Sequence, residues 1–193
     1  MKLKIQESLA LALTTLDQVI RTPGTIENIE LAAQELAKIF KSGGKVIACG
    51  NGGSACDAMH FCEEFTGRYR KNRKPLPAIS LTDPGYLTCT ANDFGYDQVF
   101  ARGVEAYGKP GDMLVVLTTS GNSENIIKAV QKAKEVGLKT VALLGKDGGQ
   151  LKGQCDIEWI IPGTTADRIQ EVHMTLLHIL IESTERIMFP ELY

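Results

Sequence analysis

The apolar positions at the start of the chain keep helical spacing. Leu9, Leu13, Leu16 and Ile20 recur at intervals of four and three residues, one face of an amphipathic helix over 2–20. A second helix is predicted over 26–41, set off by Arg21–Thr25, where Pro23 and Gly24 favour a turn, and ended by Ser42-Gly43-Gly44. From Lys45 the pattern changes. Short runs rich in β-branched residues, Lys45–Cys49, Ala78–Leu81, Met113–Thr118, Thr140–Leu144 and Ile157–Ile161, are mostly separated by helical stretches, and 165–189 reads as one last, mostly apolar helix. That alternation implies parallel strands joined by helical crossovers: an α/β fold with a three-layer α/β/α doubly wound parallel sheet, preceded by two helices. No repeat, low-complexity stretch or Gly/Pro/Ser-rich linker divides the chain. Residues 1–193 are therefore expected to form one domain, with 1–41 a helical extension and 42–193 the α/β core.

Composition narrows the function classes. With 44% hydrophobic and 23% charged residues, a chain of 193 can bury a core that needs no disulfide or metal to hold it. A formal net charge of -2, with no block of like charges, points away from nucleic acid and lipid surfaces and towards a small-molecule partner. No segment approaches the ~20 uninterrupted apolar residues that a membrane span needs. Lys2 and Lys4 precede an apolar stretch, as in a secretory signal, but Glu7 interrupts it and the amphipathic helix accounts for it better. Cys49, Cys56, Cys62, Cys89 and Cys155 are five in number and form no Cys-x-x-Cys pair, which fits reduced thiols and a cytoplasmic location.

In open sheets of this kind ligands bind beyond the carboxyl ends of the strands, so the strand ends are where chemistry should be sought. Three are distinctive: Gly50-Asn51-Gly52-Gly53-Ser54 after the first strand, Asn92-Asp93 in the loop region following the second, and Thr118-Thr119-Ser120-Gly121-Asn122-Ser123 after the third. The last sets four hydroxyl side chains and a glycine before a helix opening near Ser123-Glu124-Asn125. Backbone N–H groups, the positive end of the helix dipole and short hydroxyl donors then converge on one anion without a lysine. The plainer alternative is that Ser123 only caps the helix. Gly50–Ser54 fails the dinucleotide pattern, which needs glycine where Ala55 stands, and no Gly-Lys-Ser/Thr triplet exists to make a nucleotide-binding P-loop. What remains is a glycine-lined turn that lets a ligand approach the backbone, with Asn51 and Ser54 as donors.

His60 and Glu64 follow on the same face of the next helix, one turn apart. A His-x3-Glu pair alone is more often a solvated surface pair, although its neighbours Ala58, Met59, Phe61, Cys62 and Phe65 are mostly apolar. In the last helix Gln170 and His178 lie about 80° apart around the axis, on one broad side, whereas His173 lies about 140° from His178. His178 sits in the run Leu176–Ile181, where a histidine is more often a hydrogen-bonded core residue than a ligand.

The run from Gly50 through Phe61, then Glu63-Glu64-Phe65-Thr66-Gly67-Arg68-Tyr69-Arg70, Asn92-Asp93-Phe94-Gly95, Thr119–Ser123, Leu144-Gly145-Lys146-Asp147-Gly148-Gly149 and Asp167–His173, resembles the phosphoheptose isomerases of the SIS (sugar isomerase) fold. The match keeps the family's order across nearly the whole chain. It implies conversion of sedoheptulose 7-phosphate into D-glycero-D-manno-heptose 7-phosphate, the first step towards the ADP-heptose of lipopolysaccharide core. It also implies one zinc ion per subunit, held by His60, Glu64, Gln170 and His178, and a homotetramer with the N-terminal helices at its interfaces. By the same resemblance the substrate would contact Asn51, Gly52, Gly53, Ser54, Glu64, Asn92, Asp93, Thr118, Thr119, Ser120, Ser123 and Gln170. Thr118 departs from the family, where serine is expected in many members. Moving a proton between C1 and C2 of a sugar phosphate passes through an enediol and needs a base and an acid, roles that Glu64 and His178 fit as catalytic residues. SIS domains also serve as non-catalytic sugar-phosphate-binding or replication-initiator-associated modules. Such relatives are expected to lack the acidic residue of the first site helix or the histidine of the last, and this chain has both.

Overall fold

Runs such as Met113–Thr118 are apolar at nearly every position rather than every second one, which is the pattern of a strand covered on both faces. The computed structural model describes residues 1–193. Its sheet holds five parallel strands, β1 (Val46–Gly50), β2 (Ala78–Ser80), β3 (Met113–Thr118), β4 (Lys139–Gly145) and β5 (Ile157–Ile161), in the order β2-β1-β3-β4-β5. Around it run α1 (Lys2–Arg21), α2 (Thr25–Lys41), α3 (Gly53–Thr66), α4 (Pro84–Phe94), α5 (Val99–Tyr107), α6 (Glu124–Val136) and α7 (Ala166–Met188). Alternate strand residues feed two separate cores. Ala48, Val115, Leu117 and Leu143 pack with α2, α3 and α7 on one face, while Ile47, Cys49, Val116 and Leu144 pack with α5 and α6 on the other. This is the expected three-layer doubly wound arrangement.

Strand limits differ from the sequence reading by a residue or two. β1 runs on to Gly50 because Gly50 pairs with Leu117 of β3. β4 gains Lys139 and Gly145, which pair with Met113 and Ile161. With β1 and β3 adjacent but not consecutive, their crossovers leave on opposite faces. The gap they open at the carboxyl end is the switch point where such sheets bind ligands.

α1 departs from the simple amphipathic picture. Its buried residues are Thr15 and Val19, while Leu9, Leu13 and Ile20 of the predicted face are 67%, 70% and 58% exposed. The largest concavity of the molecule, about 800 Å³, is an apolar cleft lined by Leu16, Ile20, Ile26, Ile29, Leu176 and Ile179 of α1, α2 and α7. It lies away from the switch point. The helical extension thus offers the protein's surface far more apolar area than a self-contained chain needs.

His173 faces inward from α7. It is fully buried, its Nε2 lies 3.1 Å from the Leu144 carbonyl oxygen, and its Nδ1 has no partner. Burial pushes its pKa down to about 4. The folded protein therefore holds it neutral while the unfolded chain protonates it below its ordinary value near 6.5, so this contribution to stability is full above that pH and falls away from about 6.5 towards 4. Thermal unfolding between pH 7 and 4.5 should show Tm falling with acidity, and His173→Leu, whatever its Tm at pH 7, should flatten that slope. An unchanged slope would contradict the assignment.

Candidate functional site

Register sets the site. Because Gly50 lies beside Leu117, the loops after β1 and β3 leave the sheet next to each other, and each opens directly into a helix, α3 at Gly53 and α6 at Glu124. Two helix N-termini, both positive ends, converge on one small cleft. It measures about 70 Å³ and is lined by Asn51, Ser54, Leu117, Thr118, Thr119, Ser120, Ser123 and Gln170, with no lysine or arginine. Ser123 precedes α6, but its hydroxyl makes no capping bond and lies 3.5 Å from Thr118 Oγ1. The hydroxyl is therefore available to an anion, which favours the phosphate cradle over the simple cap. Thr118 and Ser120 have local work as well: their hydroxyls accept from the N–H of Gly121 and of Asn122, at 3.2 Å each, and shape the turn.

The glycines here are set by close approach. A Cβ on Gly121, whose φ is +65°, would fall 1.9 Å from the Gly148 carbonyl oxygen, and one on Gly149 would fall 2.4 Å from that of Ser120. Leu151 N–H donates to Gly121 O and Gln150 N–H to Asn122 Oδ1, so the turn after β4 props the cradle from behind. Gly53 is constrained less strictly, by a side chain rather than by backbone. A side chain there would meet Gln170 Nε2 at 2.7 Å, and that nitrogen donates to Ser54 Oγ at 3.3 Å.

Asn51 is held tightly. It exchanges amide hydrogen bonds with buried Asn125, 2.9 Å in each direction, and its Oδ1 also accepts from Tyr96 Oη at 2.9 Å. Its carbonyl oxygen is saturated, so its side chain can offer a ligand only one remaining N–H. Asn92 and Asp93 are corrected by the structure. Rather than standing in a loop, they occupy the last turn of α4, which Asp83 caps by accepting from Tyr86 N–H, with Pro84 in the first turn, and which Gly95 ends at φ 93°. Both are exposed and bonded to each other, Nδ2 to Oδ1 at 2.8 Å; this segment reaches the cleft through Tyr96.

Two turns down α3 from the cleft, His60, Glu64 and His178 come together from α3 and α7. His60 Nε2 is 3.2 Å from Glu64 Oε1 and 3.4 Å from His178 Nε2, and the three donor atoms lie within 4.8 Å of one another. Two imidazole nitrogens facing each other across a carboxylate suit a shared cation, and imidazole with carboxylate is a zinc donor set. Burial, reinforced by His60, lowers the pKa of His178 and keeps it in the neutral form that binds metals. Tyr69 stacks on its ring with centroids 6.0 Å apart. His178 thus belongs to the His60–Glu64 cluster, whereas His173 is a core residue on the other side of α7. Gln170 sits at the cleft, engaged with Ser54.

Sequence reasoning passed over several residues. Asp57 stands one turn before His60; its Oδ2 is buried without a partner, and burial raises its pKa to about 6 against the pull of His60. Its i, i+3, i+7 spacing with His60 and Glu64 was the available signal. Asn125 and Tyr96 act through Asn51, a long-range contact that no local pattern announces.

Residues 10–145 match the SIS domain family. The chain is 65% identical over 164 residues to the phosphoheptose isomerase of Fusobacterium nucleatum subsp. nucleatum, covering 85% of this chain and 84% of that one. It is 53% identical over 183 residues to the phosphoheptose isomerase of Pectobacterium atrosepticum, covering 94% and 95%. The fold superposes on the solved phosphoheptose isomerase of Neisseria gonorrhoeae with a TM-score of 0.89 at 36% identity, covering 95% and 98% of the two chains.

Gly121→Ala should displace the cradle from the turn behind it, lowering Tm and weakening binding of inorganic phosphate about tenfold or more. Gly24→Ala, also at positive φ (84°) but in open space, should cost about 1 kcal/mol and leave phosphate binding unchanged. Titration of both variants with phosphate checks this; equal affinities would remove the close-packing argument.

Proposed function

The chain belongs to the phosphoheptose isomerases of the SIS domain family, and from that membership we propose that it converts sedoheptulose 7-phosphate into D-glycero-D-manno-heptose 7-phosphate, the first step towards ADP-heptose. The observation that carries the reading is the spacing along α3. The phosphate cleft lies at Gly53 and Ser54, and the cluster at His60 and Glu64. From Gly53 to His60 the helix rises about 10 Å. A seven-carbon chain with phosphate at one end and the reacting carbonyl at the other spans about that distance when extended.

Phosphate is held by hydroxyls of Thr118, Ser120 and Ser123, beside Thr119, and by the N-termini of α3 and α6, with Asn51, Gln170 and the glycine-lined backbone at Gly52 and Gly53 steering the sugar chain. Asn92 and Asp93 are the substrate contacts least supported by the geometry, since their side chains bond to each other. At the far end Glu64 takes a proton from C1 of the ketose. The enediolate forms, a proton moves from O1 to O2 with His178 as carrier, and a proton returned to C2 gives the aldose. No atom is gained or lost. Holding base, acid and substrate in one frame contributes much of the acceleration. His60, Glu64 and His178 would hold one zinc ion per subunit, which when bound would supply Lewis-acid polarisation of the carbonyl; Gln170, the fourth ligand implied by the resemblance, donates to Ser54 at the cleft and would have to leave it to reach the ion. Reduced thiols and the absence of any helix long and apolar enough to cross a membrane accord with work in the cytoplasm.

Incubation with sedoheptulose 7-phosphate, followed by NMR, should show the aldose, with ribulose 5-phosphate turned over far more slowly. Glu64→Gln and His178→Ala should each lower kcat by about 10²–10⁴-fold even in excess zinc, while His60→Ala should bind metal more weakly and recover activity as metal is added. Near-normal turnover by Glu64→Gln would remove its role as base.

The exposed apolar residues of α1 and the cleft between α1, α2 and α7 are assigned to contacts between copies of the chain in a homotetramer. Light scattering at micromolar concentration should give four times 21.0 kDa, and Leu9→Glu with Leu13→Glu should dissociate it; a monomeric wild type would end this assignment.

A further inference from the structure

Arg73 lies between α3 and β2, outside every motif noted above. Its side chain and that of Glu185 on α7 are each 1% exposed, the most deeply buried ion pair in the chain. Arg73 Nε donates to Glu185 Oε1 at 2.7 Å, Nη2 to the Glu64 carbonyl oxygen at 2.6 Å, and Nη1 to the carbonyls of Phe65 and Gly67 at 2.7 and 3.1 Å. The other Glu185 oxygen accepts from Tyr193 Oη at 2.7 Å. α3 ends at Thr66, so the carbonyls of Glu64 and Phe65 lack the N–H groups that a continuing helix would supply. Leu76 N–H reaches the Phe65 carbonyl at 3.0 Å, and Arg73 supplies further donors to both, with a charge that also complements the negative end of the helix.

A buried ion pair is weak evidence for stability, because desolvation offsets its attraction. What this one fixes is geometry. Helix ends fray readily, and the end in question carries Glu64. Glu185 lies two turns beyond His178, about 20° from it around α7, so the clamp grips α7 on the side that faces Glu64. We propose that Arg73 is a positioning residue for the isomerisation, holding the last turn of α3 to α7 so that Glu64 and His178 keep their separation. The inference rests on the isomerase reading of that cluster. Lysine cannot replace arginine here, because one ammonium cannot address three carbonyls and a carboxylate in one plane.

The test compares wild type, Arg73→Lys, Tyr193→Phe and Leu138→Ala, the last a buried core truncation in the opposite layer that controls for lost stability. Three quantities are read: Co²⁺ affinity and visible spectrum, kcat and KM on sedoheptulose 7-phosphate at saturating metal, and hydrogen exchange of the peptide spanning 60–68. Arg73→Lys should bind Co²⁺ tenfold or more weakly with an altered spectrum. Its kcat should fall at least tenfold with KM within about twofold, and the 60–68 peptide should exchange faster. Leu138→Ala should match wild type in all three despite a lower Tm. Tyr193→Phe, which removes one hydroxyl at the surface and keeps the fold, should lower kcat two- to fivefold and speed the same exchange; it decides the matter if Arg73→Lys does not fold. Active wild type with Arg73→Lys or Tyr193→Phe unaltered in exchange and kcat would overturn the clamp alone. A wild type that neither binds Co²⁺ nor turns over substrate would overturn the isomerase reading and the clamp with it.

Discussion

α3 and α7 lie side by side and run in the same direction, and the chemistry of the chain depends on that contact. Gly53 meets Gln170 near the start of both helices, His60 meets His178 further along, and Arg73 joins the end of α3 to Glu185. Between these polar rungs, Phe61 and Phe65 of α3 are fully buried in the core that Ile169, Val172, Leu176, Leu177 and Leu180 of α7 complete. The apolar seam supplies the adhesion, on the order of 1.5–3 kcal/mol for each large side chain buried. The polar rungs set the register. A shift of either helix by one turn would break all three rungs at once.

The sheet places this seam. Crossovers that part at β1 and β3 leave the N-termini of α3 and α6 facing one gap, and the proposed anion site would need no cationic side chain because peptide dipoles and hydroxyls would replace it. Such a site suits an enzyme that must release its product. Its donors are backbone groups fixed by the fold, at Gly121 and Gly149 by contacts too close for any side chain. Thr118, where many relatives are expected to carry serine, keeps the hydroxyl that accepts from Gly121 N–H, so the substitution leaves the turn intact.

Most of the architecture was legible in the sequence because its signals are local. Period and turn residues announced seven of the later features, from Pro23-Gly24 through five strand runs to the final helix, since each depends on neighbours a few residues away. The site was legible only in part. His60 and Glu64 share a face by spacing alone, but their meeting with His178 is a tertiary fact, and the apolar run around His178 argued for a core residue. That argument belongs instead to His173, which is buried and hydrogen-bonded to Leu144. Asn92 and Asp93 stand in helix rather than loop because Asp83-Pro84 and Gly95 mark the two ends of α4, local cap signals that the polar Asn-Asp pair obscures. Arg73 could not be found at all: it lies 112 residues from its partner Glu185, and no pattern on either side distinguishes it from a surface arginine.

The parallel course of α3 and α7 also orders the site electrostatically. α3 presents its positive end at the cleft, where phosphate is proposed to sit, and Gln170 in the second turn of α7 reaches the same place. His60, Glu64 and His178 lie further along both helices, where two imidazoles and a carboxylate would themselves favour a cation, and beyond them the guanidinium of Arg73 closes the end of α3. Parallel helices thus carry the proposed phosphate end and the His60–Glu64–His178 cluster along one seam, so a substrate with phosphate at one end and a polarisable carbonyl at the other can lie along it. The cost is visible in the groups left without partners, Asp57 Oδ2 beside His60 above all. That carboxyl carries its charge at a cost, since burial raises its pKa to about 6 while His60 pulls it down.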